Sequence, residues 1–273
     1  MNVEIKRDSS NPYKLDLIRF GKHTIAELSK KNANFIEAIV SIDSNYQGDD
    51  DKANEEGTAY WFNEMLDLKS MFSYEYCLEK CIEIIDNHNS THLEATNDGR
   101  NNMKKIILGR CPSVEQLKQE VLVTPTRNDT NNLFFDLLKT MDHKTGYKVN
   151  NISFASKFIS YARKYLNNND TSFSKYDKVV AENLSKYQKY YADDGKRVSK
   201  SKFLNKSSDR RNLKKDIDKQ KYTYETYIKY MQTIDDIQNN LNSIKIELTR
   251  EEIDHVIWYT SKGKYLDELF ENY

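Results

Sequence analysis

The stretch NISFASKFISYARKYLNNNDTSFSKYDKVVAENL, residues 151–184, decides how this chain is read. Its first half repeats apolar residues at Phe154, Phe158, Tyr161 and Tyr165, a helical period that predicts a helix over 153–166. Lys157 stands inside that apolar repeat. A polar run then breaks the pattern. A second helix is expected over 174–191, opened by Ser174 as its cap. Asp177 falls near its start, where a carboxylate suits the helix dipole. A lysine held in a desolvated site loses its proton more readily and becomes a nucleophile. A carboxylate facing a sugar carbon stabilises an oxocarbenium-like transition state. A lysine and a carboxylate at one pocket can therefore cleave an N-glycosidic bond. The plainer reading is a lysine snorkelling at a helix edge and an aspartate serving only its helix.

Outward from this stretch, helical periods recur at 58–68, 73–88, 98–110, 113–123 and 128–142. Ser113 is an N-cap with Glu115 in the first turn behind it. Residues 212–244 read as one long helix or two. Residues 248–264 open with a capping box, Thr249 to Glu252, and end near Gly263. Ile42 to Gly57, with three consecutive aspartates, reads as a surface loop.

Composition agrees with an all-α chain. Of 273 residues, 38% are hydrophobic and 31% charged, which suits helices with long solvated faces better than a buried parallel sheet. Eight glycines and three prolines are too few for the turns of a β-sandwich. No run of about 18 apolar residues predicts a membrane span. Met1 to Asn11 is polar, without the apolar core of a signal peptide. Three cysteines fit a reducing compartment better than a disulfide scaffold, so a cytoplasmic location is expected.

The net charge is zero but unevenly spread. Residues 1–100 hold 11 basic against 19 acidic side chains, residues 101–220 hold 25 against 13, and residues 221–273 hold 6 against 10. The middle is thus a basic band between acidic ends, densest at GKRVSKSKFLNKSSDRRNLKK, 195–215. Such a band is either a solvated linker or a surface that contacts phosphates, with Phe203 and nearby tyrosines interleaved.

Metal chemistry has two weak candidates. Cys77 and Cys81, and likewise His88 and His92, have i,i+4 spacing, which zinc ligands on a helix use. The cysteines fit the apolar stripe of Leu78, Ile84 and Ile85 equally well, so buried structural thiols and surface histidines are the simpler reading. Asp235, Asp236 and Asp254 are the one acidic group that a metal-dependent nuclease could use. No Walker A, GxGxxG or nucleophile-elbow motif is present, and no cofactor is implied.

SFASK followed by KYD about twenty residues later resembles the helix–hairpin–helix DNA glycosylases, the oxoguanine-glycosylase group in particular. In that family a glycine-rich hairpin precedes a buried lysine, and an aspartate follows a loop at the start of the next helix. The resemblance covers roughly residues 128–185. It implies an all-α helix–hairpin–helix fold with Lys157 and Asp177 as the catalytic pair. Ser153 and Ala155 fall where the hairpin glycines stand, and HKTGYKVNNISFAS is the hairpin. Lys148, Ser153, Ala155, Ser156, Lys175, Lys178, Lys196 and Arg197 are then the expected DNA contacts, on a duplex with one nucleotide flipped out. Tyr161, Tyr187, Tyr190, Tyr191, Phe203 and Trp258 are candidate walls for the flipped base, although most of the 19 tyrosines must serve packing. An N-terminal helical region, 1–125, would precede a hairpin-containing catalytic region, 126–273, the two forming one integrated domain or two.

The resemblance implies excision of a damaged or modified base, in repair or in defence against phage DNA. Two rivals stand beside it. One is a non-enzymatic all-α module, a nucleic-acid binder or an abortive-infection protein, whose basic band acts by charge alone. The other is the metal-dependent nuclease.

Overall fold

A computed structural model describes residues 4–7, 16–20, 23–28, 30–45, 52, 54–88, 91–95, 98–139, 141–142, 148–149, 151–191, 213, 215–243 and 245–262. These residues are mostly helical, as the periodicity implies. Among them no helix is long and apolar enough to cross a membrane. Two small antiparallel sheets accompany the helices and were not anticipated. The first joins β1 (Glu4–Arg7), β2 (Asp16–Phe20) and β3 (His23–Ala26) in sequence order, with Glu4 opposite Arg19 and Leu17 opposite Ala26. The second is a two-residue pairing of β4 (Met141–Asp142) with β5 (Lys148–Val149).

The chain divides into two compact units, each built from separated segments. The first comprises residues 1–46, 177–204 and 229–273. It holds the three-stranded sheet, α1 (Ala33–Asn45), α8 (Lys178–Tyr191), the second half of α9 (Asp216–Ser243) and α10 (Arg250–Lys262). Here α10 packs against α8, α1 and β3, so the N-terminal helix is met by the C-terminal one. Ile36, Ile39, Val180, Leu184, Ile253 and Val256 are buried in its core. The capping box at the start of α10 forms as the sequence predicts. Thr249 Oγ1 accepts from the Glu252 N–H at 3.2 Å, and Glu252 Oε2 accepts from the Thr249 N–H at 2.6 Å.

The second unit comprises residues 47–176 and 205–228. It holds α2 (Thr58–Leu66), α3 (Tyr74–His88), α4 (Gly99–Arg110), α5 (Val114–Val121), α6 (Leu133–Leu137), α7 (Ile152–Leu166) and the first half of α9. α7 is its centre, packing against α2, α3, α5 and α6. Residue 125 lies inside this unit, and α4 and α5 pack on α6 across it, so the contacts do not divide at the expected 125 boundary.

Element ends differ from the expected ones in three places. α1 runs to Asn45, into the stretch read as a loop from Ile42. The helix expected over 128–142 is only α6. Asn132 caps it, its side chain accepting the Phe135 N–H at 2.9 Å, and an Asp129 turn precedes it. The helix expected to start at the Ser174 cap starts at Lys178 instead, because Asp177 takes the cap position. Residues 216–243 are one continuous helix.

Candidate functional site

α7 carries eleven buried residues in fifteen, Phe154 and Phe158 among them. A helix packed on four neighbours must be apolar nearly all round. Four residues remain half-buried, Ser153, Lys157, Lys164 and Tyr165. At 100° per residue the first three fall within about 40° of one another on the helix wheel, and Tyr165 lies about 80° beyond Lys157. Lys157 therefore leaves the core along the open strip of its own helix. Ala155 and Ser156 do not: both are 0% exposed, main chain included, and the Ala155 N–H is spent on the Asn151 carbonyl at 2.8 Å.

The connector from α7 to α8 is held at almost every residue. α7 ends in a Schellman-type turn, with the Asn169 N–H donating to the Lys164 carbonyl at 2.9 Å and Asn168 in the left-handed region at φ 54. Arg163, buried, donates from Nε to Asp170 Oδ2 at 2.8 Å and lies 5.6 Å from the Phe173 ring centroid. Burial opposes ionisation of Asp170, but hydrogen bonds from Ser172 and Arg163 hold its carboxyl below the ordinary range. Tyr227 of α9 stacks on Phe173 at 5.4 Å and donates its hydroxyl to the Ser174 carbonyl at 2.5 Å. Lys175 Nζ sits 4.2 Å from the Tyr161 ring centroid, a cation–π contact that occupies a residue expected on DNA. The Tyr176 N–H donates to Ser156 Oγ at 2.8 Å.

The next residue, Asp177, belongs to the first unit, so the two residues of the expected pair fall in different units. Asp177 is the N-cap of α8. Its Oδ1 accepts from the N–H groups of Val179 at 2.6 Å and Val180 at 3.3 Å, and its carbonyl receives the Ala181 N–H at 2.9 Å. It stands at the start of a helix, where the resemblance puts the aspartate. Lys178 beside it is exposed, with Glu182 4.0 Å away.

One group near Asp177, Tyr230, was missed in the sequence, and its partner Asp254 was named there only as a candidate metal ligand. The Tyr230 hydroxyl is fully buried and donates to Asp254 Oδ1 at 2.5 Å. Burial, together with the Asp254 carboxylate, pushes the Tyr230 hydroxyl well above its usual range. The signal was the spacing of Tyr224, Tyr227 and Tyr230 along one helix face. Each of the three buries its ring and spends its hydroxyl on a specific partner, Tyr224 donating to the Asp129 carbonyl at 2.6 Å.

The remaining expectations divide by place. Lys196, Arg197, Tyr190, Tyr191, Phe203, the side chain of Lys148 and most of the 195–215 band lie outside the described residues or side chains. Tyr161 and Tyr187 are buried, and Trp258 is half-buried against Tyr259. Of the expected hairpin HKTGYKVNNISFAS, Lys148 and Val149 form β5 against β4, Ser153 and Ala155 lie in α7, and 143–147 and 150 lie outside the described residues. The α7 cap, Asn151, is 2% exposed and donates to the Lys139 carbonyl at 2.7 Å, while its Oδ1 is buried without a hydrogen-bond partner. The nuclease trio separates: Asp235 pairs with Arg250 at 2.5 Å and Asp254 with Tyr230. Among the described residues no group of three His, Cys, Asp or Glu is placed to hold a metal ion. Cys77 and Cys81 face the core of α3 while His88 is exposed.

No protein-family model matches this chain, and neither a curated protein nor a solved structure matches it.

Proposed function

We propose that this chain is a DNA glycosylase of the helix–hairpin–helix type that excises a damaged or modified base from duplex DNA, with a lyase step through a lysine. Lys157, as the neutral amine, attacks C1′ of the flipped nucleotide. The N-glycosidic bond breaks, and the base leaves with the bonding electrons and takes up a proton. The carboxylate of Asp177 stabilises the positive charge that develops on the sugar. Ring opening then gives a Schiff base between Lys157 and C1′. The observation that carries this reading is the hydrogen bond between Ser156 Oγ and the Tyr176 N–H, which ties together the residues that precede Lys157 and Asp177. The half-buried strip of α7 and the cap position of Asp177 also support it. The β4–β5 pairing is a departure from the family's hairpin.

Borohydride trapping tests the proposal. Duplexes carrying 8-oxoguanine, uracil, hydroxymethylcytosine with and without glucose, or an abasic site are incubated with the wild-type chain and with Lys157→Gln. A covalent adduct that disappears in the variant establishes the lysine, and the productive duplex names the base. Base loss revealed by alkali without an adduct keeps the glycosylase and removes the lysine step. Neither adduct nor base loss on any duplex overturns the proposal in favour of a module that binds nucleic acid by charge.

A further inference from the structure

The turn that joins α2 to α3 shows its apolar side chains to water. Among the described residues six large apolar side chains are exposed, and four of them, Leu66, Leu68, Met71 and Tyr76, fall within 66–76. Leu68 is 102% exposed and Met71 89%. Single exposed apolar residues need no explanation, but four gathered on one turn do. The turn is also fixed by its own hydrogen bonds. The Ser70 N–H donates to the Asp67 carbonyl at 3.0 Å and the Lys69 N–H to Asp67 Oδ1 at 2.8 Å. Ser70 Oγ donates to Glu64 Oε2 at 2.5 Å and accepts the Phe72 N–H at 3.1 Å. Phe72 then stacks on Tyr76 at 5.4 Å, and the two rings meet the buried Trp61 at 5.2 and 5.6 Å. Leu68 and Met71 are thus held out on a fixed main chain, so covering them costs little further ordering. Beside Tyr76 the surface falls into a cleft of about 490 Å³, lined by Trp61, Tyr76, Ile84 and Glu55 among others.

The charge around this patch decides what can cover it. Residues 54–83 hold seven acidic side chains against two lysines. Lys52 and Lys104 reach in from outside that stretch, Lys52 to Glu56 at 2.9 Å, and Lys104 to Glu79 at 2.7 Å and Glu75 at 3.3 Å. Seven carboxylates still face four ammonium groups. The patch is therefore apolar at its centre and negative around it. It repels a phosphate backbone, and a second copy meeting the same face would set acid against acid. A cationic protein surface with apolar side chains is complementary on both counts.

We propose that the α2–α3 turn is a docking site for a basic protein segment that carries apolar side chains, with Leu68 and Met71 as the anchors and the surrounding carboxylates as the rim. Methionine and tyrosine suit such a contact, the first because it adapts its shape and the second because its ring adds area at little cost in order. The site lies wholly within the second unit and uses neither Lys157 nor Asp177, so the inference stands whether or not the chain excises bases.

The test uses the full chain and a fluorescently labelled peptide of about 18 residues, with Leu at helical spacing and Lys elsewhere, long enough to form a helix as it docks. A counterpart peptide has Glu in place of every Lys. Leu68→Ser combined with Met71→Ser removes the anchors, and because both side chains are exposed the Tm should stay at the wild-type value. Anisotropy should show the Lys peptide bound by wild type with a Kd at least about tenfold below that of the double variant. Raising salt from about 50 to 200 mM should weaken that binding. The Glu peptide should bind at least about tenfold more weakly than the Lys peptide. No binding of the Lys peptide, equal binding by wild type and double variant, equal binding of the two peptides, or a Kd that salt does not move overturns the proposal. Either rival occupant overturns it too. A dimer in sedimentation that the double variant abolishes gives the face to a second copy, and binding to phosphatidylcholine vesicles that the double variant abolishes gives it to a lipid surface. Should the double variant lower the Tm, Leu68→Lys, at a fully exposed position, is measured in its place.

Discussion

Ser156 Oγ accepts the main-chain N–H of Tyr176 at 2.8 Å while donating to the Ser153 carbonyl at 3.1 Å. Ser156 is 0% exposed and Tyr176 is 6% exposed, so neither group has water to turn to. Replacing Ser156 by alanine leaves a buried N–H without its acceptor, at a cost of about 1–3 kcal/mol. Urea unfolding should show a lower midpoint with an unchanged slope. A midpoint equal to wild type would mean that the connector finds another acceptor and that Ser156 does not hold it.

Asp177 has two possible duties, capping α8 and supplying charge, and asparagine separates them. Its side-chain oxygen caps as well as aspartate does, so Asp177→Asn should change stability by less than about 0.5 kcal/mol, and Asp177→Ala by about 1 kcal/mol. Loss of the charge should instead lower base excision on the order of a hundredfold to a thousandfold. An asparagine variant that excises at the wild-type rate would leave the residue with its helix duty alone.

The features legible in the sequence were those written in local code. The periods of α2, α3, α4 and α7 and the capping box of α10 depend on neighbours within one turn, and each stands within a few residues of its expected place. The start of α8 was not legible, because Ser174 and Asp177 are both good caps. What decides between them is tertiary: Tyr227 takes the Ser174 carbonyl and Ser156 takes the Tyr176 N–H, which holds the chain out of helix until Asp177. The candidate site shows the same division. Lys157 and Asp177 could be picked by type and spacing. Tyr230, more than fifty residues from Asp177, could not, since a tyrosine on an apolar stripe looks the same whether or not its hydroxyl has a task, and Asp254 was legible only as a candidate metal ligand.

Asp86 gathers the turn after α3. Its carboxylate accepts from Thr91 Oγ1 at 2.6 Å, the N–H groups of Leu93 at 2.7 Å and Glu94 at 3.0 Å, and Arg100 Nε at 2.8 Å. Burial raises its pKa, but the bonds from Thr91, Arg100, Leu93 and Glu94 together outweigh it and hold the carboxyl below its ordinary 3.8. A depressed folded pKa gives stability that is complete above the unfolded value and is lost as pH falls through the folded one. Asp86→Asn should therefore cost about 3 kcal/mol at pH 7. The gap from wild type should close as the pH drops below about 4. A gap constant with pH in parallel denaturation curves would show that the charge is not what holds the turn.

Asn168 sits at φ 54 in the turn that ends α7, a conformation that costs most side chains about 1 kcal/mol and glycine nothing. Thermal unfolding should rank Asn168→Gly at or above wild type and Asn168→Ala below it. The reverse order would mean that the amide side chain, rather than the backbone conformation, stabilises the turn.

The three thiols are placed to be inert. Cys77, Cys81 and Cys111 are all 0% exposed. Burial pushes Cys77 up to about 11, aided by the Glu64 carboxylate, and Cys111 up to about 12, aided by Glu120, while Cys81 is raised well above its usual value. The thiolate is the reactive form and the metal ligand, so at pH 7.5 native Cys77 should react with a disulfide reagent more than about a hundredfold more slowly than a free thiol. In denaturant all three should react at once. Chelator should leave the Tm where it was, because Cys77 and Cys81 pack among Leu78, Ile84 and Ile85 rather than around an ion. Fast labelling of one thiol in the native chain, or a Tm that falls with chelator and returns with zinc, would restore Cys77 and Cys81 as ligands and require α3 to open.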